Sequence, residues 1–247
     1  MNDLLIKNVV ESVAVLQLNR PQQSNALNSD LFISLTQELN EIRWNDEIKA
    51  VIITGSGQKS FCAGIDLKER ANKGKAVVLS ERERIIRPFY LTLGNFQKPT
   101  IAALNGVALG GGAELALTCD LRIASPKAKF AQSEIKWGMI PSCGACQRLR
   151  LIAGMGVAKD IILTGRTLES EEAYRLGIYN RLVPEDRLMD EAMDLAGLIS
   201  GNPSTALEQA KKALDLGADL TRSLDFDFEL SKQCFLLGDA LDRPKKF

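Results

Sequence analysis

Hydrophobic and polar residues alternate along the first part of the chain in a way that predicts an α/β protein. The apolar runs LLIKNVV and VAVLQL indicate two paired strands, and KAVIITG indicates a buried strand that ends at Gly55. Residues 29–43 have helical spacing, with Ser29 as the predicted N-cap. Strands that alternate with helices are typical of the α/β class.

A second buried strand, PTIAALNG at residues 99–106, runs directly into a group of glycines. The pattern then predicts a helix over residues 111–118 and a third strand, CDLRIAS, over residues 119–125. A strand followed by a glycine turn and the start of a helix is a common setting for ligand binding.

From about residue 185 the pattern is helical only, with helices predicted near residues 185–200, 204–216 and 221–237. We therefore predict a main domain over residues 1–190 and a helical C-terminal region over residues 191–247.

Composition narrows the classes of function. Among 247 residues, Lys plus Arg and Asp plus Glu number 31 each, so no overall field attracts nucleic acid or an anionic membrane. The N-terminal residues MNDLLIKNVV lack the basic segment and apolar run of a signal peptide. The most apolar later stretch, residues 101–117, is interrupted by Asn105 and Glu114. We expect a cytoplasmic protein without membrane or nucleic-acid partners.

The chain has no histidine, which excludes Ser-His-Asp and Cys-His catalysis and histidine-ligated zinc. Its five cysteines are scattered and odd in number, unlike a secreted disulfide framework. Cys143 and Cys146 form a C-x-x-C pair, which is typical of redox or metal sites. Without a second pair or a histidine we expect no metal site, and we favour a packing role for both thiols.

The glycine run GVALGGGAELALTCD, residues 106–120, allows three interpretations. A phosphate cradle is disfavoured, because the run lacks a Lys-Ser/Thr pair and continues into the carboxylate of Glu114. Close packing of a helix against a strand is the second interpretation. The third is an oxyanion hole, in which free N–H groups at a helix start stabilise negative charge. The turn FCAGIDL, residues 61–67, is the candidate for a second donor.

Glu114 lies among small and apolar residues, so its carboxylate is predicted to be partly desolvated, with a raised pKa. The basic segment over residues 68–87 has three interpretations: a solvated surface, a contact for the phosphates of a small-molecule ligand, or a site for RNA.

Four segments carry a family resemblance: FCAGIDLKE, NGVALGGGAELALTCDLRIAS, FAQSEIKWGMIP and QRL occur in this order. The sequence resembles the crotonase superfamily, and within it the enoyl-CoA hydratases. The resemblance implies a spiral of ββα turns with a helical C-terminal oligomerisation region, a homotrimer or a hexamer made of two trimers. It also implies an acyl-CoA substrate and no separate cofactor, because CoA is part of the substrate.

The resemblance also implies roles for individual residues. The backbone N–H groups of Ile65 and Gly111 correspond to the oxyanion donors, and Glu114 and Glu134 to the two catalytic acids. The backbone N–H of Ser142 would help to hold the water. The segments that line the CoA site contain Ala26, Ala63, Asp66, Leu67 and Lys68.

Two carboxyl groups at one site suffice to add water across an α,β-unsaturated thioester, because their repulsion keeps one protonated. We assign Glu114 to the water and Glu134 to the α-carbon proton, while a reversed or shared division stays open. An enoyl-CoA isomerase, a methylglutaconyl-CoA hydratase-like enzyme and an RNA-binding protein on the same scaffold are the alternatives. The loop PSCGACQRL, residues 141–149, is bulkier than is usual for the resemblance and is expected to narrow the acyl pocket.

Overall fold

Two sheets form the framework of the computed structural model, which describes residues 4–215 together with Asp225, Phe228, Glu229, Lys232 and Leu236. Apart from those five residues, the predicted helix over 221–237 lies outside the described part. The strands in that part are β1 Leu5–Val10, β2 Val13–Leu18, β3 Ala50–Gly55, β4 Ser60–Cys62, β5 Thr100–Leu104, β6 Val107–Leu109, β7 Leu121–Ala124, β8 Phe130–Ala131, β9 Thr167–Leu168 and β10 Arg181–Leu182.

The helices are mostly short and lie between or after the strands. A π-helical turn, Arg82–Ile86, joins two of them, and 3₁₀ turns cover Pro21–Gln23, Glu134–Trp137 and Glu185–Arg187. The α-helices in the described residues are α1 Ser29–Arg43, α2 Leu67–Ala71, α3 Lys75–Glu81, α4 Arg87–Gly94, α5 Gly111–Thr118, α6 Ala145–Ala153, α7 Met155–Thr164, α8 Ser170–Arg175, α9 Leu188–Ser200 and α10 Ser204–Asp215.

The chain winds through the two sheets in a regular spiral. The six-stranded sheet has the order β1-β2-β3-β5-β7-β10, and the four-stranded sheet has the order β4-β6-β8-β9. The pairs β3–β4, β5–β6 and β7–β8 each place their first strand in the large sheet and their second in the small sheet, and helices follow each pair. This arrangement confirms the predicted spiral of ββα turns.

Hydrophobic residues fill the space between the sheets and the surrounding helices. Phe32 from α1, Phe61 from β4 and Phe89 from α4 are at most 1% exposed and belong to one large core. All eight residues of α5 are buried, so this helix runs through the interior with its first residue, Gly111, facing the site described below.

The cap of α1 differs from the prediction. Asn28, not Ser29, is the N-cap: its side chain accepts a hydrogen bond from the Leu31 amide at 3.1 Å. Asn28 has extended backbone angles, whereas Ser29 is already helical and its hydroxyl donates to Glu81 at 3.1 Å. The prediction was wrong by one residue because both side chains are good caps in sequence.

Helix α9 crosses the predicted domain boundary at residue 190 and packs against the large sheet. Leu188, Ala192 and Leu195 form a second core with residues of β2, β3, β5 and β7. In α10, Lys211 forms an ion pair of 2.7 Å with Asp120. The division at residue 190 stays a prediction, and the first two C-terminal helices lie against the main domain.

Candidate active site

Two glycine-containing turns meet at one point, after β4 and before α5. A Cβ atom on Gly64 would lie 2.8 Å from the Leu109 carbonyl oxygen and 3.4 Å from the Gly111 nitrogen. Gly64 also has a φ of +99°, a conformation that favours glycine. Only glycine permits this approach, which brings the backbone of Ile65 next to that of Gly111.

The amides of Ile65 and Gly111 are placed to act as donors. Leu27 and Ile65 form a parallel bridge whose two hydrogen bonds use the amides of Leu27 and Asp66, at 2.7 and 2.9 Å. Gly111 is the first residue of α5, where amides have no partner within the helix. The buried Tyr90 hydroxyl donates to the Gly111 carbonyl at 2.6 Å and fixes this turn.

A cavity of about 240 Å³ opens in front of these amides. Glu114 and Glu134, the two glutamates predicted from the sequence, both line this cavity although they are 20 positions apart in the chain. Its remaining wall contains apolar and basic side chains. The residues that line it are Ala63, Gly64, Ile65, Leu67, Arg70, Arg82, Leu109, Gly110, Gly111, Glu114, Ser133, Glu134, Trp137, Met139, Ile140 and Ser142.

Glu114 is held from behind by the loop that precedes α6. Only 2% of the residue is exposed, and its Oε1 accepts hydrogen bonds from the amides of Cys143 at 2.7 Å and Ala145 at 3.3 Å. Gly144, between the two donors, has a φ of +102°. Hydrogen bonds to a charged acceptor are the strong ones, so these donors stabilise a carboxylate.

Glu134 begins a 3₁₀ turn and lies beside the glycines. A Cβ on Gly110 would be 3.0 Å from Glu134 Oε1. The amide nitrogen of buried Gln132, turned toward the carboxyl group, donates to its two oxygens at 3.1 and 3.2 Å. Burial, followed by the nearby charge of Glu114, raises the pKa of Glu134 well above its ordinary value. The two carboxyl groups therefore differ in environment: Glu114 accepts two backbone hydrogen bonds, whereas Glu134 holds its proton more tightly than an ordinary glutamate.

Of the residues predicted to lie at the CoA site or near the water, some line the cavity and others lie outside it. Ala63, Leu67 and Ser142 line the cavity, whereas Ala26, Asp66 and Lys68 lie outside its lining. The Asp66 carboxylate caps α2 and pairs with Arg20 at 2.9 Å, and that guanidinium also binds the Ala26 carbonyl. Lys68 is exposed. Asp66 and Ala26 thus organise the turn through Arg20.

Four side chains at the site were not predicted: Arg70, Arg82, Tyr90 and Gln132. Arg82 contradicts the interpretation of the basic segment as solvated surface, since only 4% of it is exposed and its Nη2 donates to Ser142 Oγ at 2.7 Å. Arg70 and Arg82, two of the charges that motivated the RNA-binding alternative, face the cavity.

The thiols take no direct part in this geometry. Cys62, Cys119, Cys143 and Cys146 are not joined in disulfides, and burial raises the pKa of Cys62 and of Cys119 to about 12. Within the described residues there is no group of three or more cysteine or acidic side chains arranged to hold a metal ion. Their helices also include none that is long and apolar enough to cross a membrane.

The chain is similar to known proteins along most of its length. A family model described as enoyl-CoA hydratase/isomerase matches residues 8–236. The short-chain-enoyl-CoA hydratase of Clostridium acetobutylicum is 39% identical, in an alignment that covers 95% of this chain and 90% of the relative. The crotonyl-CoA hydratase of Syntrophomonas wolfei is 36% identical, in an alignment that covers 96% of this chain and 92% of the relative. An enoyl-CoA hydratase structure from Bacillus anthracis covers 95% of this chain and 90% of its own with a TM-score of 0.85 and 35% identity. The chain belongs to the enoyl-CoA hydratase/isomerase family.

Proposed function

We propose that this chain is an enoyl-CoA hydratase, a hydro-lyase that adds water reversibly across the 2,3 double bond of an α,β-unsaturated acyl-CoA thioester. One observation carries the proposal: a carboxyl group that accepts two backbone hydrogen bonds and a second one with a raised pKa share a cavity with two convergent backbone amides. This set supplies a base, an acid and an oxyanion site without histidine.

The thioester oxygen is placed between the amides of Ile65 and Gly111. Attack of water at C3 moves electron density onto that oxygen, and the intermediate has enolate character. Fixed N–H donors, aided by the N-terminal end of the α5 dipole, stabilise this charge without reorganisation. Removing one such donor typically reduces kcat about 10²- to 10³-fold.

The two glutamates divide the proton transfers. Glu114, held as a carboxylate by two amides, orients the water and accepts its proton as the oxygen bonds to C3. Glu134, whose pKa is raised, gives its proton to C2 as the enolate collapses. The proton on Glu114 then passes back to Glu134 before the next turnover, so the carboxyl groups are regenerated and only water is consumed.

The substrate is a short acyl group. The cavity of about 240 Å³ is below the range of about 300–1,000 Å³ that is usual for drug-sized ligands. Ser142, in the loop that was expected to narrow the pocket, is buried and lines the cavity. Two relatives are named for short-chain and crotonyl thioesters, so crotonyl-CoA is the first substrate to test.

The reaction is measured by the loss of the conjugated-enoyl absorbance of crotonyl-CoA. The same assay with longer and branched thioesters, including methylglutaconyl-CoA, defines the range of substrates. Glu114→Gln and Glu134→Gln should each lower kcat by about 10²- to 10⁴-fold, the usual contribution of a general acid or base. The double variant should lose far less than the product, because the two groups act as a unit. Full hydration with Glu114→Gln and none with Glu134→Gln would instead support a one-base isomerase.

We also propose a homotrimer, or two trimers joined as a hexamer. The C-terminal helices expose large apolar side chains: Leu198 in α9 is 71% exposed and Leu214 in α10 is 81% exposed. A second subunit would cover such residues. Light scattering at micromolar concentration should give at least three times the mass of one chain, and a stable monomer would contradict this proposal. A cytoplasmic location and the lack of a separate cofactor stay predictions.

A further inference from the structure

An arginine is bound to the loop that holds Glu114. Arg148 belongs to α6, and its Nη1 donates to the Cys143 carbonyl oxygen at 3.1 Å. The residue is partly buried and lies outside the lining of the catalytic cavity. The hydration steps derived above use Glu114, which the amides of this loop hold, but they give no role to the guanidinium bound to the same loop.

Two glycines leave room for this guanidinium. A Cβ atom on Gly144 would overlap Arg148 Nη1 and would lie 3.1 Å from its Cζ. A Cβ on Gly94, the last residue of α4, would lie 3.0 Å from Arg148 Nη2 and 3.8 Å from the methyl group of Thr118 at the end of α5. The two terminal nitrogens of the guanidinium therefore face different elements, the loop and α4.

The contact acts on the peptide unit between the two amides that bind Glu114. The Cys143 carbonyl belongs to the planar peptide unit that joins residues 143 and 144. The amides of Cys143 and Ala145, which donate to Glu114 Oε1 at 2.7 and 3.3 Å, lie on either side of this unit. A hydrogen bond that fixes the carbonyl therefore also restricts the direction of both amides.

The backbone of Gly144 increases the need for this restriction. Its φ of +102° favours glycine, and glycine has more backbone freedom than any other residue. Rotation about the backbone bonds of Gly144 would turn the Ala145 amide away from Glu114. The missing side chain of Gly144 also lets Arg148 reach the Cys143 carbonyl, so the residue that gives the loop its freedom admits the group that limits it.

The charges of Arg148 and Glu114 also attract each other. Burial lowers the pKa of Arg148, and among the described groups that oppose this effect Glu114 is the strongest. The guanidinium is therefore close enough for its charge, as well as its hydrogen bond to the loop, to favour the placement of the Glu114 carboxylate.

We propose that Arg148 is a positioning residue for hydration: by holding the Cys143 carbonyl it fixes the two amides that orient the Glu114 carboxylate toward the water. The proposal rests on the hydratase function proposed above, and it adds a residue that acts through Glu114 and not on the substrate. Proton transfer depends on placement, and a displacement of about 1 Å can cost about 100-fold in rate. Loss of the guanidinium should therefore impair the chemical step and leave substrate binding intact.

Kinetics of the Arg148→Met variant test this division. Its kcat for crotonyl-CoA should fall about 10- to 100-fold, because Glu114 is less well placed. KM should stay close to that of the unmodified protein, since Arg148 lies outside the cavity lining. Arg148→Lys should recover part of kcat, because an ammonium group can still donate to the Cys143 carbonyl, whereas a residue that only fills space would not distinguish Lys from Met. An unchanged kcat, or an effect confined to KM, in the folded Met variant overturns the proposal.

Two other arginines serve as matched controls. Arg122 in β7 is 5% exposed and donates to the carbonyl groups of Ile178 and Cys119, at 2.6 and 2.7 Å, so Arg122→Met also removes a guanidinium bound to backbone carbonyls. This variant should lose stability in urea unfolding but keep kcat in the folded fraction. Arg150→Met changes an exposed arginine of α6 and should alter neither quantity. If Arg122→Met lowers kcat as much as Arg148→Met does, the effect is general destabilisation and the proposal fails.

A double-variant cycle shows whether Arg148 acts through Glu114. In the Glu114→Gln background, Arg148→Met should have little further effect on kcat, because the side chain that it positions no longer accepts a proton. If the two losses multiply instead, Arg148 does not act through Glu114 and the proposal is wrong.

Amide hydrogen exchange separates this inference from the proposed function. Exchange of the Cys143 and Ala145 amides, followed by mass spectrometry in peptides that contain the loop, should be about 10- to 100-fold faster in Arg148→Met, as expected for loss of a hydrogen bond to a charged group. Faster exchange in a protein that hydrates no thioester would overturn the hydratase function and support the role of Arg148 in holding Glu114. Hydration by the unmodified protein, with kcat and exchange that do not respond to Arg148→Met, would overturn the positioning role and leave the hydratase function standing. If Arg148→Met fails to fold, as judged by circular dichroism, Arg148→Lys provides both readouts, and values equal to those of the unmodified protein would then overturn the proposal.

Discussion

The close approach of α5 to β4 gives a sharp prediction at Gly112. A Cβ atom there would overlap the Cys62 carbonyl oxygen and would lie 2.7 Å from the Cys62 carbonyl carbon and 2.8 Å from its Cβ. Two of these three atoms belong to the backbone of β4, which cannot rotate away. Gly112→Ala must therefore push the start of α5 from the strand, and it moves the Gly111 amide with it.

The magnitude follows from these distances. Overpacking of a core costs about 1–3 kcal/mol, and this case belongs at the upper end because the overlapping atoms are mainly backbone. For a chain of this size, that lowers Tm by roughly 4–12 °C. Displacement of an oxyanion donor should also reduce kcat/KM for crotonyl-CoA about 10²- to 10³-fold.

Gly156→Ala is the matched control for the same chemical change. Gly156 lies in the first turn of α7, is exposed, and would have no atom within 4 Å of an added Cβ. Replacing a helical glycine by alanine here should be neutral or stabilising by up to about 1 kcal/mol. Thermal and urea unfolding at equal protomer concentration measure both variants. If Gly112→Ala matches the unmodified protein in Tm and kcat/KM, the close approach and the oxyanion geometry built on it are wrong.

Three further predictions concern the same site. Hydration should fall as pH rises through the raised pKa of Glu134, because this acid then loses its proton. In the Glu114→Gln variant the fall in rate should occur at lower pH, since the nearby charge that helps to raise the pKa of Glu134 is gone. Replacing Cys143 by Ala and Cys146 by Gly should keep kcat/KM within tenfold, which corresponds to about 1.4 kcal/mol in the activation barrier. The reason is that a backbone amide of residue 143 holds Glu114 and no step uses a thiolate. A loss of several orders of magnitude in folded protein would show that a thiol takes part. Tyr90→Phe leaves the Gly111 carbonyl without its buried donor and should cost about 1–3 kcal/mol of stability in urea unfolding, so an unchanged midpoint would contradict that hydrogen bond.

Local patterns were sufficient for most elements around the site. The helix predicted over residues 111–118 has those bounds, because a strand, a glycine turn and an apolar run follow one another without ambiguity. The proximity of Gly64 to the start of this helix was also anticipated, since an oxyanion site needs two donors. The N-cap of α1 was misplaced by one residue, because Asn28 and Ser29 are both good caps and only backbone angles decide between them.

Arg82 shows why the charge of the cavity was harder to predict than its carboxylates. Val78, Arg82, Ile86 and Phe89 are all at most 8% exposed and follow one another at intervals of three or four residues, so Arg82 occupies a core position of a helical stripe. A charged residue in an apolar stripe was the signal that identified Glu114. At Arg82 the signal was obscured by its charged neighbours in the run ERER, which are typical of a solvated helix.

The partner of Arg82 was a further obstacle, because Ser142 is 60 residues away in a loop whose position depends on the packing of α5 and α6. The π-helical turn at Arg82–Ile86 also shifts the direction of the side chains relative to an ideal helix. Periodicity therefore shows that a charge is buried, but only the fold shows which cavity it faces. For this chain that distinction separates an arginine on a basic surface from one that lines the same cavity as Glu114 and Glu134.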